Sequence, residues 1–259
     1  MTKSLDGRVQ SVDRAMLLME SLSDAESGLR LTDLARRTKL SLTTVHRLLT
    51  TLEQRHFVRF LPKDNRWHIG QQAFTIGNAF VRDRSFMAPA QPYLRLLREH
   101  TKETANLGVV ENGEIVLVDQ LESREITRAL SRVGGRTPMT ASGMGKSILA
   151  TYSGGEVNSH LNRHGMRRAT VKSLTCRDAL NTQLAKIRSD GYAVDDEEYV
   201  TGLRCVAAPV YNQHADVVCA ISVSGTVSRM NATRLPIIGR LVAETAAAIT
   251  RAIAGNPAQ

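Results

Sequence analysis

The sequence has few aromatic residues and few cysteines, and both shortages narrow the range of proteins it can encode. Aromatic residues make up 4% of the 259 residues, which argues against an all-β sandwich and against a platform of rings that stacks single-stranded bases. The three cysteines, at positions 176, 205 and 219, are an odd number without CxxC spacing. We therefore expect a reducing compartment and no disulfide framework.

Long apolar runs are missing as well. No stretch approaches the roughly 18 apolar residues that a membrane-spanning helix needs, and the opening MTKSLDGRVQ has no apolar core of a signal peptide. The content of 42% hydrophobic and 23% charged residues is typical of a globular protein. We expect a cytoplasmic protein of one large domain or two ordinary ones, without a membrane partner.

The net charge of +9 is concentrated in one segment. Residues 28–66 contain nine Lys/Arg and three Asp/Glu, a net charge of +6, so the other 220 residues carry only +3. Such a patch is typical of a nucleic-acid-binding surface, although a merely solvated basic surface has the same composition. The motifs within the segment decide between the two.

Apolar spacing predicts three helices near the N-terminus. In the first, VQSVDRAMLLMESLSD, the predicted core-facing residues are Val12, Ala15, Met16, Met19 and Leu22. The second, LRLTDLARRTK, is short and capped by Thr32 or a neighbour, and its predicted inward residues are Leu31, Leu34 and Ala35. Ser41 is the predicted N-cap of the third helix, LSLTTVHRLLTTLEQRHF.

The outer face of the third helix favours DNA binding. Its predicted inner face consists of Leu42, Val45, Leu48, Leu49 and Leu52. At about 100° per residue, the opposite face carries small hydroxyls, one Arg and one Gln, where Lys and Glu usually dominate. Hydroxyls bind phosphates or bases, and Arg reads guanine edges in the major groove. We predict a helix-turn-helix whose candidate contacts to double-stranded DNA are Ser41, Thr43, Thr44, His46, Arg47 and Thr50. The alternative is a small three-helix packing unit.

A hairpin is predicted directly after these helices. In HFVRFLPKDNRWHIG, two short β-prone runs surround the turn residues 63–65. A basic hairpin after a recognition helix is a wing, and it places Arg59, Lys63 and Arg66 for contact with phosphates or the minor groove. We expect Trp67 to pack on the domain core rather than on DNA.

The run SLTTVHRLLTTLEQRHFVRF…RWHIG resembles the winged helix-turn-helix of the IclR family of bacterial transcription regulators, and the resemblance covers nearly the whole chain. We expect a winged helix-turn-helix DNA-binding domain over residues 1–70, a linker helix over 71–88 and an effector-binding domain over 89–259, which is GAF-like in that family. In the family, the linker helix helps to join subunits. The alternative is that its apolar residues pack on their own domain.

The linker shows its apolar residues at helical spacing: Phe74, Gly77, Phe80 and Val81. Pro89 and Pro92 should stop one helix and start the next, near 90–102. Beyond it, strands are predicted around the turn Asn112-Gly113, in EITRALSRV, in YAVDDEEYVTGLRCVAAPVYN and in ADVVCAISVSG, with helices near 155–163, 177–190 and 231–254. This order predicts an α+β fold, an antiparallel sheet with helices on its faces.

The stretch TASGMGKS, residues 140–147, ends like a phosphate loop. Such a loop needs GxxxxGK[ST], and Thr140 stands where the first glycine belongs. GGRTPM, rather than an apolar strand, leads into it, and both observations argue against a nucleotide site. Ser142 and the two glycines still predict a helix start, whose unpaired N–H groups can bind a carboxylate. An ordinary capped helix start is the alternative.

Two strands supply polar side chains for a pocket at this helix start. Alternation along GLRCVAAP places Leu203 and Cys205 on one face, and alternation along AISVSG does the same for Ser222 and Ser224. Hydroxyls, a thiol and a helix N-terminus that converge form a small polar pocket.

The effector pocket of the IclR family has this composition. The resemblance implies backbone donors at Gly143 and Met144 and a contribution from Asp195, and it is nearest to the branch that senses glyoxylate or pyruvate and controls the glyoxylate bypass or allantoin use. That branch commonly has alanine at Met144 and often histidine at Thr140, so these positions bear on ligand choice. An anion beside Asp195 needs a shared proton, a hydroxyl or a hydrate.

Other clusters favour a structural role. His160 and His164 are spaced i, i+4 without a third metal ligand nearby in sequence, and the acidic run 195–198 is typical of a solvated turn. Cys205 and Ser222 have no histidine base at a recognisable spacing. We expect no catalytic residue, no metal and no cofactor.

These features together predict a transcription regulator rather than an enzyme. We expect a repressor of a catabolic operon, controlled by a small carboxylate such as glyoxylate or pyruvate. Its expected partners are operator DNA, the effector and further copies of the chain, as a dimer or a dimer of dimers. Two alternatives stay open: an activator of aromatic-acid catabolism in the same family, and an enzyme or NTPase with a regulatory DNA-binding head.

Overall fold

The computed structural model describes residues 7–82, 84–123 and 132–254. The chain divides into two compact units, Met1–Arg84 and Ser85–Gln259. Over the residues that the structure describes, no helix combines the length and the apolar character that a membrane span requires.

The first unit is a winged helix-turn-helix, as predicted. Its elements are α1 (Gln10–Ser23), α2 (Leu31–Thr38), α3 (Leu42–Gln54), β1 (Val58–Leu61), β2 (Arg66–Ile69) and α4 (Gln71–Arg82). The antiparallel pair β1–β2 forms the hairpin, and Leu29 adds an isolated bridge to Trp67. Trp67 is 6% exposed and lies in the core with Leu18, Leu34 and Leu49, which confirms the structural role predicted for it.

The predicted apolar stripe of α1 is partly wrong. Val12 and Met16 are 56% and 46% exposed, whereas Leu18 and Leu22 are buried. The helix carries apolar residues on more than one face, so their spacing alone did not identify the side that packs on α2 and α3. Leu42, in the first turn of α3, is also half exposed, unlike the rest of its predicted inner face. The N-cap of α2 is Arg30, which makes no side-chain capping bond, and not Thr32.

The prolines after the first unit do not delimit helices as expected. α5 spans Met87–Thr101 and contains both of them. Pro89 occupies the third helical position, where the N–H has no partner within a helix in any case. Pro92 lies farther inside and removes one hydrogen bond. Helix α5 therefore starts at Met87, three residues before the predicted helix start near residue 90.

The second unit contains a six-stranded antiparallel sheet. Its strands are β3 (Thr104–Glu111), β4 (Glu114–Leu121), β5 (Arg136–Pro138), β6 (Ala193–Asp196), β7 (Leu203–Tyr211) and β8 (Val217–Thr226), in the order β5-β4-β3-β8-β7-β6. Asn112 and Gly113 both adopt positive φ between β3 and β4, as a two-residue hairpin turn requires. Most of the strand predicted at EITRALSRV, residues 125–131, lies outside the described residues.

Helices cover both faces of this sheet, which confirms the α+β class. They are α6 (Gly143–Leu149), α7 (Gly154–His164), α8 (Arg177–Asp190) and α9 (Leu235–Ala254). Helices α5 and α9 bury one face in a large apolar cluster. Helices α6, α7 and α8 pack over the other face in a second cluster. The candidate ligand site lies on this second face.

Candidate effector pocket and DNA-binding surface

The start of α6 is capped and packed tightly against its surroundings. The hydroxyl of Ser142 accepts a hydrogen bond from the N–H of Gly145 at 3.0 Å. A Cβ atom at Gly145 would lie 2.3 Å from the backbone of Met139, and one at Gly143 would lie 3.3 Å from the Cys205 carbonyl oxygen. Both glycines are therefore explained by the close approach of α6 to its neighbours, and not by a phosphate loop.

The lysine of the same motif is committed to the protein interior. Lys146 has no exposed surface, and its Nζ donates at 2.7 Å to the Gln183 side chain and at 2.7 Å to the Val194 carbonyl. Its third partner is the carboxylate of Glu198. Since an ammonium group has three donors, none remains for a nucleotide phosphate. This geometry supports the rejection of a nucleotide site.

The sheet presents a row of polar residues beneath α6. Asp195 pairs with Cys205 across β6 and β7, and Cys205 pairs with Ser224 across β7 and β8. Ser222 lies two residues away from Ser224 on the same face and pairs with Asn106 on β3. Directly opposed residues in an antiparallel sheet share a face, so the four predicted strand residues and Asn106 converge.

Asn106 joins the two serines into one hydrogen-bond network. Its Nδ2 donates to Ser222 Oγ at 3.1 Å and to Ser224 Oγ at 3.0 Å. The Gln120 amide donates to its Oδ1 at 2.8 Å. Because both hydroxyls accept from Asn106, their own protons are directed away from it. The Cys205 thiol is hydrogen-bonded to both serines, so a ligand would compete with this thiol for their protons.

Cys205 is a neutral thiol and not a nucleophile. Burial raises its pKa to about 11, and the nearby Asp195 carboxyl group adds to the rise, while hydrogen bonds with Ser222 and Ser224 offset part of it. A reactive cysteine needs a lowered pKa. The thiol therefore contributes a weak donor and a polarisable surface to the site.

Asp195 is the titrating group of the site. Burial raises the pKa of its carboxyl group to about 7, although the N–H of Glu198, which donates to Oδ1 at 2.7 Å, favours the ionised form. The carboxylate of Glu198 raises this pKa further, and the ammonium of Lys146 lowers it. Near neutral pH the carboxyl group is thus protonated in a large fraction of molecules.

These groups line a cavity of about 280 Å³. Six of the seven predicted effector-binding residues line it: Met144, Asp195, Leu203, Cys205, Ser222 and Ser224. The seventh, Gly143, lies directly beside Cys205. The Met144 sulfur lies over Gly108 of β3, where a Cβ atom would be 2.9 Å from it. The bulk of Met144 is thus accommodated by a glycine on the facing strand.

Sequence reasoning missed several residues of this cavity. They include Asn106, Ile115, Leu117, Ser142, Tyr199 and Val200. Alternation along β3 and β4 carried a signal for the first three, because they lie on the same face as the predicted serines. Tyr199 lies in the connection between β6 and β7, and its hydroxyl donates to the Arg136 carbonyl at 3.2 Å. No period in the sequence identifies such a loop contact.

The predicted DNA-binding residues fall into two groups in the first unit. Thr43, His46 and Arg47 are exposed on α3, and Lys63 is exposed at the hairpin turn. The second group, Ser41, Thr44, Thr50 and Arg66, makes hydrogen bonds within the first unit. Ser41 caps α3 through the Thr44 N–H at 3.2 Å and contacts the Thr44 hydroxyl at 2.9 Å.

Two further candidates also make internal bonds. The Thr50 hydroxyl donates to the His46 carbonyl at 2.9 Å, so its oxygen can still accept a bond from outside. Arg66 donates through one guanidinium nitrogen to the Gly28 carbonyl at 2.9 Å. The remaining donors of that guanidinium are not used in this bond.

Both clusters make structural contacts, but the acidic run 195–198 is not the solvated turn that we predicted, because Asp195 and Glu198 are buried and the run begins in β6. His160 and His164 stack with ring centroids 4.8 Å apart, and burial lowers the pKa of His160. Asp196 pairs with Arg204 and Lys172, and Glu197 pairs with Lys172. Across residues 7–82, 84–123 and 132–254, no group of three or more His, Cys, Asp or Glu side chains is arranged to hold a metal ion.

Two family models match the chain. Residues 11–62 match the IclR helix-turn-helix domain, and residues 79–251 match the bacterial transcriptional regulator IclR C-terminal domain. The first range lies within the first unit, and the second begins in α4 and covers most of the second unit, including the α6 motif and the strands of the cavity.

Relatives and solved structures agree with these matches. The acetate operon repressor of Salmonella typhimurium is 37% identical, over 98% of this chain and 94% of its own length. The transcriptional repressor AllR of Klebsiella pneumoniae is 34% identical, over 96% and 91%. A transcriptional regulator of Rhodococcus sp. RHA1 superimposes with a TM-score of 0.80 at 27% identity, over 95% and 98%.

A further structure contains a ligand. It is an IclR homologue of Microbacterium hydrocarbonoxydans in complex with 4-hydroxybenzoate, with a TM-score of 0.78 at 21% identity, over 94% of this chain and 98% of that one. The relatives and fold neighbours are transcription regulators and not enzymes. The chain therefore belongs to the IclR family of bacterial transcription regulators.

Proposed function

We propose that the chain represses a catabolic operon and releases its operator when a small carboxylate, such as glyoxylate or pyruvate, binds the cavity beneath α6. The observation that carries this proposal is the convergence of Asn106, Cys205, Ser222 and Ser224 at the start of α6. The repressors among its relatives support the sign of regulation.

The polar wall suits an oxo-acid. The first N–H groups of a helix have no partner within that helix and favour negative charge, and the two serine hydroxyls add donors. A neutral Asp195 removes the repulsion that its carboxylate would exert and can donate a hydrogen bond to the ligand. Gly143 and Met144 would contribute their N–H groups, while Leu203 closes the apolar side.

Calorimetric titration of the full chain with glyoxylate and pyruvate tests this assignment. We expect one saturable site per chain. The double variant Cys205→Ala with Ser222→Ala should lose this heat, while its affinity for duplex DNA stays within twofold. Lys172→Ala, on the exposed ion pair beside the cavity loop, is the control and should bind like the wild type. Equal binding by the double variant would remove these residues from the effector site.

A second effector class is favoured by the apolar part of the cavity lining. Ile115, Leu117, Val200 and Leu203 also line the cavity, and a two- or three-carbon acid would contact them only in part. An aromatic acid such as 4-hydroxybenzoate, which is bound by the regulator from Microbacterium hydrocarbonoxydans, would cover them. In this alternative the chain is an activator of aromatic-acid catabolism, and 4-hydroxybenzoate would replace the oxo-acids in the titration.

The DNA partner and the assembly complete the proposal. Residues 1–70 would bind operator DNA through Ser41, Thr43, Thr44, His46, Arg47 and Thr50 of α3 and through Lys63 and Arg66 of the wing. Residues 71–88 would link them to the effector domain, 89–259. Two half-sites require two copies, and Phe74 and Phe80 are exposed on α4, as expected of a helix that joins subunits. A regulator that binds bacterial DNA would act in the cytoplasm.

A further inference from the structure

A groove on the first unit connects part of the predicted recognition helix with a helix that lies outside the predicted DNA-binding surface. It runs between the first half of α1 and the outer side of α3 and has a volume of about 580 Å³. Helix α1 contributes Gln10, Ser11 and Arg14, and helix α3 contributes His46, Arg47 and Thr50. The sequence patterns assigned α1 to the core alone.

Two arginines on opposite walls of this groove are unpaired. Arg14 is half-buried and Arg47 is exposed. Within the part of the chain that the structure describes, neither guanidinium has a hydrogen-bond or ion-pair partner. The nearest acidic residue along α1, Asp13, is paired with Arg8 at 3.9 Å, and the groove has no acidic lining residue.

This chemistry matches one occupant. Arginine presents planar donors that suit a phosphate group, and two like charges in one groove repel each other until an anion separates them. Gln10, Ser11 and Thr50 add neutral polar groups, which are typical of contacts to the DNA backbone. Since Arg47 and Thr50 also belong to the helix expected in the major groove, the phosphates of the same duplex lie within reach of the α1 wall.

We propose that this groove binds the phosphate backbone of duplex DNA, with Arg14 on α1 as a phosphate contact beside the recognition helix. The inference rests on the proposed DNA binding by α3. It extends the DNA-binding surface from the recognition helix and wing to a third element. Because a phosphate contact carries no sequence information, Arg14 adds affinity and orientation but no base preference.

The test uses the full chain and two mixed-sequence 30-base-pair duplexes that share no sequence. Fluorescence anisotropy gives the dissociation constant from 50 to 300 mM NaCl. Loss of one phosphate contact lowers the slope of log K against log salt by about 0.9 and the affinity at 0.1 M salt by about eightfold. We expect this change for Arg14→Gln on both duplexes alike. Lys186→Gln removes one exposed, paired charge from the second unit and should match the wild type.

A second variant covers the case in which Arg14→Gln lowers the melting temperature. Ser11→Glu adds a negative charge to the groove in the first turn of α1, where the helix dipole favours it, so the fold should not suffer. It should also weaken both duplexes. The proposal is contradicted if Arg14→Gln and Ser11→Glu bind both duplexes as tightly as Lys186→Gln does. It is also contradicted if affinity is lost for only one of the two duplexes. If the wild type itself binds neither duplex, the proposed DNA binding is wrong.

Discussion

At the scale of single residues, the proposed effector site depends on the protonation state of Asp195, whose pKa is about 7. An ionised carboxylate in a buried site repels a ligand carboxylate, whereas the protonated form can donate a hydrogen bond to it. Besides burial, three neighbours act on the pKa of this residue: Glu198 in the following loop, Lys146 on α6, and the backbone N–H of Tyr199, which lowers it. The proton on Asp195 is therefore coupled to ligand charge.

We predict that pyruvate binds more weakly as the pH rises through 7. The pKa of Asp195 is about 7 in the folded chain, and binding of an anion holds its proton. Above that pH, each further unit should lower the affinity by up to about tenfold. Titration calorimetry between pH 6 and pH 8.5 measures this, and Asp195→Asn should abolish the dependence. If the affinity of the wild type for pyruvate does not change over that range, the coupling is contradicted.

The raised pKa of Asp195 also affects the stability of the ligand-free chain. A carboxylate in an ion pair stabilises a protein more as the pH rises, whereas Asp195 stabilises it less. The folded carboxyl group keeps a proton that the unfolded one loses, since its pKa rises from 3.8 to about 7. Its contribution to the free energy of unfolding is therefore present below pH 3.8 and is lost as the pH rises to about 7. Urea unfolding without ligand should show a flatter pH profile in Asp195→Asn.

The element that links the cavity to the rest of the second unit is α6. Its seven residues are all buried. Its first turn meets Cys205 on β7, its middle contacts Met139, and Lys146 reaches Glu198. A helix fixed on so many sides transmits a displacement at its first turn rather than absorbing it, because packed interiors resist compression.

We predict that Gly145→Ala destabilises the chain by about 1–3 kcal/mol, the usual cost of overpacking. Its Cβ atom would lie 2.3 Å from the Met139 backbone, which cannot move away as a flexible side chain can. Gly154→Ala is the matched control, because the same atom at the start of α7 meets nothing within 4 Å. It should be neutral or slightly stabilising. Urea unfolding of both variants measures the difference, and equal stabilities would contradict this account of α6.

Elements with local signals were predictable from the sequence. Asn112-Gly113 identified the β3–β4 turn, where both residues adopt positive φ. The helix predicted near 177–190 ends where α8 does, directly before Gly191, whose positive φ terminates it. The inner face of α1 was not predictable, since Val12 and Met16 have the same spacing as the buried positions. Only the packing partners of a helix distinguish two apolar faces.

The same distinction applies to the cavity. Alternation along β7 and β8 placed Cys205, Ser222 and Ser224 correctly on one face. Asn106, which joins the two serines, lies on β3, whose neighbour in the sheet is β8, far away in sequence. Alternation in the sequence identifies which residues share one face of a strand. It does not give the order of the strands in the sheet, which brings four of them under α6.

At the scale of the whole molecule, α4 carries apolar surface that the first unit does not cover. Phe74 is 72% exposed, Ile76 52% and Phe80 40%, although the helix belongs to a unit with its own buried core. An aromatic side chain exposed to this degree loses contact with water when subunits associate, which favours association by about 25 cal/mol for each Å² covered. On the basis of this exposure we propose that α4 contacts another subunit.

We predict that Phe74→Ser weakens self-association at least tenfold, since a truncated aromatic anchor at an interface costs upward of about 1.4 kcal/mol. Sedimentation equilibrium across a range of chain concentrations measures it. Val171→Ser is the control, because Val171 is 83% exposed in the second unit and lies outside α4. Both variants should melt like the wild type at low concentration, since neither side chain lies in a core cluster. If Phe74→Ser and Val171→Ser associate equally, α4 does not join the subunits, and the two operator half-sites must be bound by copies held together elsewhere.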